Sequence, residues 1–482
     1  MLASPHALAA SFLASLERGS PDRDALHRVG ESEPERAAAG FLRAARDPDL
    51  AASRAVWVPA LLRSARPGVG AERLAELAQR ARHAGARPPD PARAAALPAV
   101  LGSSSALSRV LLRRPEWWRE LEGSPPAPPE ARPPAAEWDA IRRAKYRGLL
   151  RIAARDALGR PFAAALRELS DLADACLAAA LEAAAKETRT PAPALLALGK
   201  LGGRELNFSS DVDLLFLYPV PPGGDALARN EEVGRLVRRF KSQLEAPGEE
   251  GFAYRVDLDL RPEGRAGVIA NSVDAALTYY ESFGQEWERQ MLIRLRPVAG
   301  PPGVGEEFAR EIAPFVYRRH IDPGVMRSVR DMKTRIEEER RRAGRDLEAD
   351  LKEGPGGIRD VEFLVQSLQL FHGGGEPSLR TGNVLDGIAA LERLRLLPAE
   401  TAAALASCYT WLRRAEHALQ LAEEQQTARL PRERPAQVAL ARRMGYADPD
   451  AQTAQARLLE DWTAVRAEVR AHFESLVLAD PR

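Results

Sequence analysis

The chain has 482 residues, a length that allows about three domains, and its 45% apolar and 28% charged content is that of ordinary globular protein. Its 69 basic and 68 acidic residues leave a formal net charge of +1, so bulk charge gives no support to nucleic-acid binding. No stretch approaches the roughly 18 uninterrupted apolar residues that a spanning helix needs, so no transmembrane segment is predicted.

Only two cysteines occur, Cys176 and Cys408, which argues against a disulfide framework and fits a reducing cytoplasm. The N-terminus has an apolar run with no basic residue ahead of it, and reads as a short amphipathic helix rather than a signal peptide. Residues 1 to about 120 read as short helices divided by Pro and Gly. The run GSPPAPPEARPP, from Gly123 to Pro134, is the expected linker, because proline removes a donor and fixes φ. Helical periodicity returns from Trp138 to Lys186.

From Leu195 the period changes. LLALG and VDLLFLYP read as buried strands, and FAYRVDLDLRP as a third with period-2 alternation. A helix over 230–245 separates the second from the third. ANSVDAALTYYESFGQEWERQ reads as helix, with Tyr279, Tyr280 and Trp287 as packing residues. MLIRLRPVAG reads as a further strand carrying Arg294 and Arg296 on one side, and everything beyond GPPG at 300–303 reads as helical. Arg340, Arg341 and Arg342 are expected on a solvated helix face.

The chemistry concentrates in ALGKLGGRELNFSSDVDLLFLYP. In a strand, Asp211 and Asp213 share a face and Val212 takes the other. Asp257 and Asp259 stand in the same i, i+2 relation, so either is a candidate third carboxylate, with Arg261 close behind to neutralise charge. Carboxylates converging in this way suit Mg²⁺, which takes hard oxygen ligands and keeps positions open for phosphate. The glycine turn at Gly199, Gly202 and Gly203 permits close backbone approach. Its amides, the Ser209 and Ser210 hydroxyls and the Lys200 ammonium are the candidate phosphate holders. A Walker loop is excluded, since no Lys-Ser/Thr pair closes the turn. GxSxG, HExxH and CxxC patterns are also missing.

A second polar set lies in DLKEGPGGIRDVEFLVQSLQLFHGGG. Arg359, Glu362, Gln366 and Gln369 form one stripe of a mostly apolar helix, which predicts a cleft lining. Arg413, Glu416 and Gln420 accompany an apolar row further on, and His417 reads as a hydrogen-bonded helix histidine.

GKLGGRELNFSSDVDLLFLYP, VDLDLRPEGRAGVIANS, PFVYRRH, GPGGIRDVEFLVQSLQL and LRRAEHALQ resemble the glutamine synthetase adenylyltransferase / adenylyl-removing enzyme family, over about residues 140–440. The resemblance implies an α+β, mostly helical chain. A polymerase-β-like nucleotidyltransferase domain with a small mixed sheet would be flanked by N-terminal helices and a C-terminal helical bundle domain. The division expected is 1–122 N-terminal helices, 123–137 linker, 138–303 nucleotidyltransferase domain with its leading helices, and 304–482 helical domain. Asp211, Asp213 and Asp257 would bind Mg²⁺ or Mn²⁺, and ATP, ADP and phosphate would be substrates or products.

LNFSSDVDL resembles the type of module that removes AMP from a tyrosine of glutamine synthetase by phosphorolysis, giving ADP. The alternatives are attachment of AMP from ATP, or a non-catalytic nucleotide-sensing module. Asp259 stands where the family usually has Arg. The helix of Arg359, Glu362 and Gln366 would face the active site, and a PII-type nitrogen signal protein is a further partner the resemblance suggests.

Overall fold

The computed structural model describes residues 5–130, 132–133, 136–318, 333–335, 338–344, 346–446, 448 and 450–478. The end of PFVYRRH, Arg319 and His320, lies outside them. No helix among the described residues is long and apolar enough to cross a membrane.

The chain forms two compact units that do not follow its linear order. One draws on Met1–Pro129, Tyr146–Ala165 and Arg413–Ala464; the other on Glu130–Lys145, Leu166–Leu412 and Val465–Arg482. Among its described residues, the named elements of the first unit are all helices. Two of its N-terminal helices start on a side-chain cap: Asp22 accepts from the Ala25 amide at the head of Arg23–Arg28, and Ser104 from the Leu107 amide at the head of Ser105–Arg113. Phe12, Phe41 and Trp57 are fully buried, with Phe12 edge-on to Phe41 at 4.9 Å and Phe41 stacked on Trp57 at 6.1 Å between centroids. Full burial of each such side chain is worth about 1.5–3 kcal/mol. In the same unit the His417 Nε2 lies 3.0 Å from Asp156 Oδ2, as expected of a bonded helix histidine. Arg413, Glu416 and Gln420 are deeply buried, with Arg413 Nε 3.1 Å from Glu416.

The second unit carries the sheet. Its strands are β1 (Ala194–Ala197), β2 (Val212–Tyr218), β3 (Val256–Asp257), β4 (Asn271–Ser272) and β5 (Arg296–Ala299). The order is β3-β2-β1-β5, with β4 also on β2. β1 is antiparallel to β2 and β5, whereas β3 and β4 run parallel to β2. A mixed sheet with all but one residue of β2 buried needs cover on both faces. Phe216 packs edge-on against Phe240 of the helix Ala226–Glu245 at 5.3 Å. On the other face Leu215 and Leu217 join Tyr280, Phe308 and Ile312 in one core cluster, from the helices Val273–Phe283 and Val304–Val316.

Four expectations need correction. The strand read over FAYRVDLDLRP is only Val256–Asp257, because the chain turns at once: the Asp259 amide donates to Asp257 Oδ1 at 2.7 Å, a local turn that competes with the ladder. The helix read through ANSVDAALTYYESFGQEWERQ begins with the short strand β4 and breaks at Gly284 into Val273–Phe283 and Glu286–Leu292. Trp287 is 40% exposed rather than packed, while Tyr280 is buried. Finally, Arg294 precedes β5, so it and Arg296 do not share a strand face.

Candidate functional site

The site sits where β2 begins. The Leu198 amide donates to the Asp213 carbonyl at 2.9 Å, extending the β1–β2 ladder, and Gly199–Gly202 then makes one helical turn beside the strand. Gly199 has φ +54, and a Cβ there would lie 2.0 Å from Asp213 Oδ2. Glycine is required at this point because the carboxylate occupies the space of a side chain. On the other edge of β2, Asp213 pairs in register with Asp257 of β3, and Val212 with Val256. In-register neighbours on adjacent strands point to the same face, so the two carboxylates stand side by side.

Burial first, and then the charge of Asp257, push the Asp213 carboxyl up to about 6; Asp211 adds a smaller push, and Lys352 and Lys200 oppose it. A half-buried carboxylate beside a second one has an unmet need for positive charge. That environment fits a divalent cation. Asp211 lies just ahead of the strand, and its Oδ1 accepts from Arg255 Nε at 2.5 Å. Arg255 also donates to the Ser209 carbonyl at 2.6 Å and its hydroxyl at 3.1 Å, so one guanidinium ties Asp211 to the serine turn. Among the described residues no three Asp, Glu, His or Cys side chains form a complete ligand set. The arrangement is therefore a carboxylate pair with Asp211 alongside, which matches the habit of Mg²⁺ of taking one or two carboxylates and completing its shell with water and substrate phosphate.

Asp259 and Arg261 go elsewhere. Asp259 is turned to Arg265 at 2.7 Å on the surface, so Asp257 is the carboxylate of VDLD that joins the pair. Arg261 donates to the carbonyls of Leu258, Arg265, Gly267 and Val268 and braces its own loop. The amides of Gly202 and Gly203 are spent inside the turn, on the carbonyls of Leu198 and Gly199. Their missing side chains instead admit the backbone: a Cβ would meet the Arg294 carbonyl at 1.9 Å from Gly202 and the Gly382 carbonyl at 2.6 Å from Gly203. Ser209 and Ser210 are buried, and Ser210 Oγ accepts the Asn207 amide at 3.1 Å.

The platform under the turn is rigid for a stated reason. Arg296 grips Asp174 through two bonds of 2.7 and 2.9 Å and donates to the carbonyls of Leu201 and Gly202 at 3.0 and 3.3 Å. Such a forked ion pair fixes both partners. Asn383 Nδ2 holds the Gly203 carbonyl at 3.1 Å.

The polar stripe of the helix Ile358–His372 is turned inward onto protein rather than lining an open cleft. Glu362 accepts from Arg294 Nη2 at 2.9 Å, and Glu205 lies 3.4 Å from the same nitrogen and accepts from Tyr409. Gln366 accepts from Gln290 at 2.8 Å, Gln369 donates to the carbonyls of Leu379 and Thr381, and Arg359 reaches Glu353. Lys333 and Asp360 make a buried pair at the head of this helix, where Asp360 also accepts the Gly356 amide at 2.8 Å. Sequence reading missed Arg255, Glu205 and Lys352. Arg255 carried a signal, two residues before Asp257 in the same short run. Lys352 had none, since a separation of well over a hundred residues hides its approach to Asp213.

A mixed sheet in a mostly helical chain, with a carboxylate pair at the strand start beside a glycine turn, defines the nucleotidyltransferase fold. Residues 94–311 match the family described as glutamate-ammonia ligase adenylyltransferase, and residues 330–477 match the GlnD PII-uridylyltransferase family. The chain is 40% identical over 357 residues to a bifunctional glutamine synthetase adenylyltransferase/adenylyl-removing enzyme of Nitrosococcus oceani, covering 70% of this chain and 36% of that protein. Proteins of the same description match from Xanthomonas campestris pv. campestris, at 40% over 372 residues (73% and 39%), and Thioalkalivibrio sulfidiphilus, at 36% over 416 (80% and 42%). Over these matched residues the chain belongs with the glutamine synthetase adenylyltransferase/adenylyl-removing enzymes. It spans about two-fifths of the length of these curated relatives.

Proposed function

We propose that this chain regulates glutamine synthetase by removing AMP from an adenylylated tyrosine, with phosphate as acceptor and ADP as product. The observation that carries the reading is the in-register pairing of Asp213 with Asp257 beside Gly199. Asp213 and Asp257, with Asp211 adjoining, would hold Mg²⁺ or Mn²⁺. Bound there, the metal would neutralise phosphate charge and orient an in-line displacement. Lys200 and Lys352 add positive charge near Asp213, where both oppose the rise of its carboxyl. A phosphate oxygen attacks the α-phosphorus, the bond from phosphorus to the tyrosine oxygen breaks, and the phenolate takes a proton from solvent. The LNFSSDVDL wording favours removal over attachment. The match of residues 330–477 supports a PII-type signal protein as a second partner. The two cysteines, both buried and unpaired, agree with a cytoplasmic setting.

The test is incubation of the chain with AMP-bearing glutamine synthetase, Mg²⁺ and phosphate. ADP should appear as the tyrosine is freed. Pyrophosphate release from ATP with unmodified glutamine synthetase would instead select the attaching direction. Neither product, with AMP retained, rejects both.

A further inference from the structure

In the helical unit, the N-terminal helix Pro5–Glu17 and the helix Arg54–Arg63 border a cavity of about 220 Å³. Its walls are mostly apolar, among them Leu8, Leu13, Val29 and Leu62, yet Arg442 lies in its lining, with His6 and Arg63 at exposed edges. Arg442 is only 7% exposed. Its Nε is buried without a hydrogen-bond partner, and Nη2 reaches only the Val29 carbonyl, at a long 3.5 Å. Asp448 and Asp450, the carboxylates whose charge acts on Arg442, are engaged elsewhere: Asp448 pairs with Arg457 at 2.9 Å, and Asp450 accepts from Thr453. A buried guanidinium with so little compensation is costly to the fold. An anion delivered into the cavity relieves that cost, and the apolar walls select what the anion is attached to.

We propose that this cavity is a binding site for a small organic anion, a carboxylate on an apolar body, with Arg442 receiving the carboxylate. Size sets the class. A cavity of about 150 Å³ accommodates benzene, so this one takes a body of about nine non-hydrogen atoms by the same ratio. A free phosphate or acetate would leave the walls unfilled, and a neutral hydrocarbon would leave the guanidinium unmet.

Hexanoate is the probe, with hexanol as its neutral counterpart and acetate as the bare head group, titrated calorimetrically against the full chain. Hexanoate should bind at least about tenfold more tightly than either control. Arg442→Met, which keeps the length and removes the charge, should bring hexanoate down to the level of hexanol. Ala10→Trp, at the exposed rim, should block the cavity with Arg442 intact and abolish binding of both. Equal affinity for hexanoate and hexanol, no binding of either, or a preference that survives Arg442→Met overturns the proposal. If Arg442→Met does not fold, Ala10→Trp decides, and hexanoate binding retained there is equally fatal.

Discussion

Gly199→Ala is the sharpest probe of the site, because it alters one atom position that the structure assigns to a carboxylate. Two effects separate cleanly. The backbone at Gly199 is left-handed, φ +54, where a side chain costs about 1–2 kcal/mol. The new Cβ would also meet Asp213 Oδ2 at 2.0 Å, against an ordinary contact that begins at 3.4 Å. The carboxylate oxygen must therefore retreat by about 1.4 Å, and displacement of a reacting geometry by about 1 Å costs roughly a hundredfold in rate. Gly223→Ala is the matched control, since Gly223 has φ +74 and open space within 4 Å. Both variants should lose a similar small amount of thermal stability. Only Gly199→Ala should lose AMP removal, by about a hundredfold, in an assay following ADP release from adenylylated glutamine synthetase. Activity within about threefold of the wild type, in a folded Gly199→Ala protein, would refute the placement of Asp213 at the reacting centre.

Arg294→Met should destabilise the protein by about 3–5 kcal/mol, because Glu205 and Glu362 would stay buried without their shared cation; a shift in urea midpoint equivalent to less than about 1 kcal/mol contradicts this. In metal-free protein the raised Asp213 carboxyl makes the folded state bind a proton that the unfolded state has released, between the ordinary 3.8 and about 6. Stability should then fall as pH rises through that window, by at most about 3 kcal/mol. Asp213→Asn should remove this part of the slope, and an unchanged pH profile in EDTA would count against the carboxylate pair. Asp259→Ala breaks only a surface pair with Arg265, with exposures of 42% and 86%. It should cost under about 1 kcal/mol and leave ADP release unchanged, and a large loss of activity would return Asp259 to the site.

Much of the architecture is legible in one dimension because it depends on local period. The run VDLLFLYP reads as a buried, mostly apolar strand, and the strand in the structure, Val212–Tyr218, stops one residue short of it, at the proline. The proline run after Gly123 holds no helix or strand longer than an isolated bridge among its described residues, as a chain short of amide donors dictates. The glycine turn ahead of Asp213 was visible too, though for a different use. Gly199 makes room for a carboxylate, while Gly202 and Gly203 make room for the backbone of Arg294 and Gly382.

Pairings between distant segments are set only by the folded chain. Period-2 alternation through VDLDLRP put Asp257 and Asp259 on one face, yet a two-residue strand followed by a side-chain-capped turn sent them apart. Likewise Glu362 and Gln366 form a surface-like polar stripe by helical period, but the arginine and glutamine that bury them lie some seventy residues away in sequence. Residue type and local spacing specify which groups are ionised, which strand carries them and where the chain must bend. Which carboxylates become neighbours, and how far burial shifts their charge, depends on strand register and solvent exclusion, and those arise only when the whole unit closes.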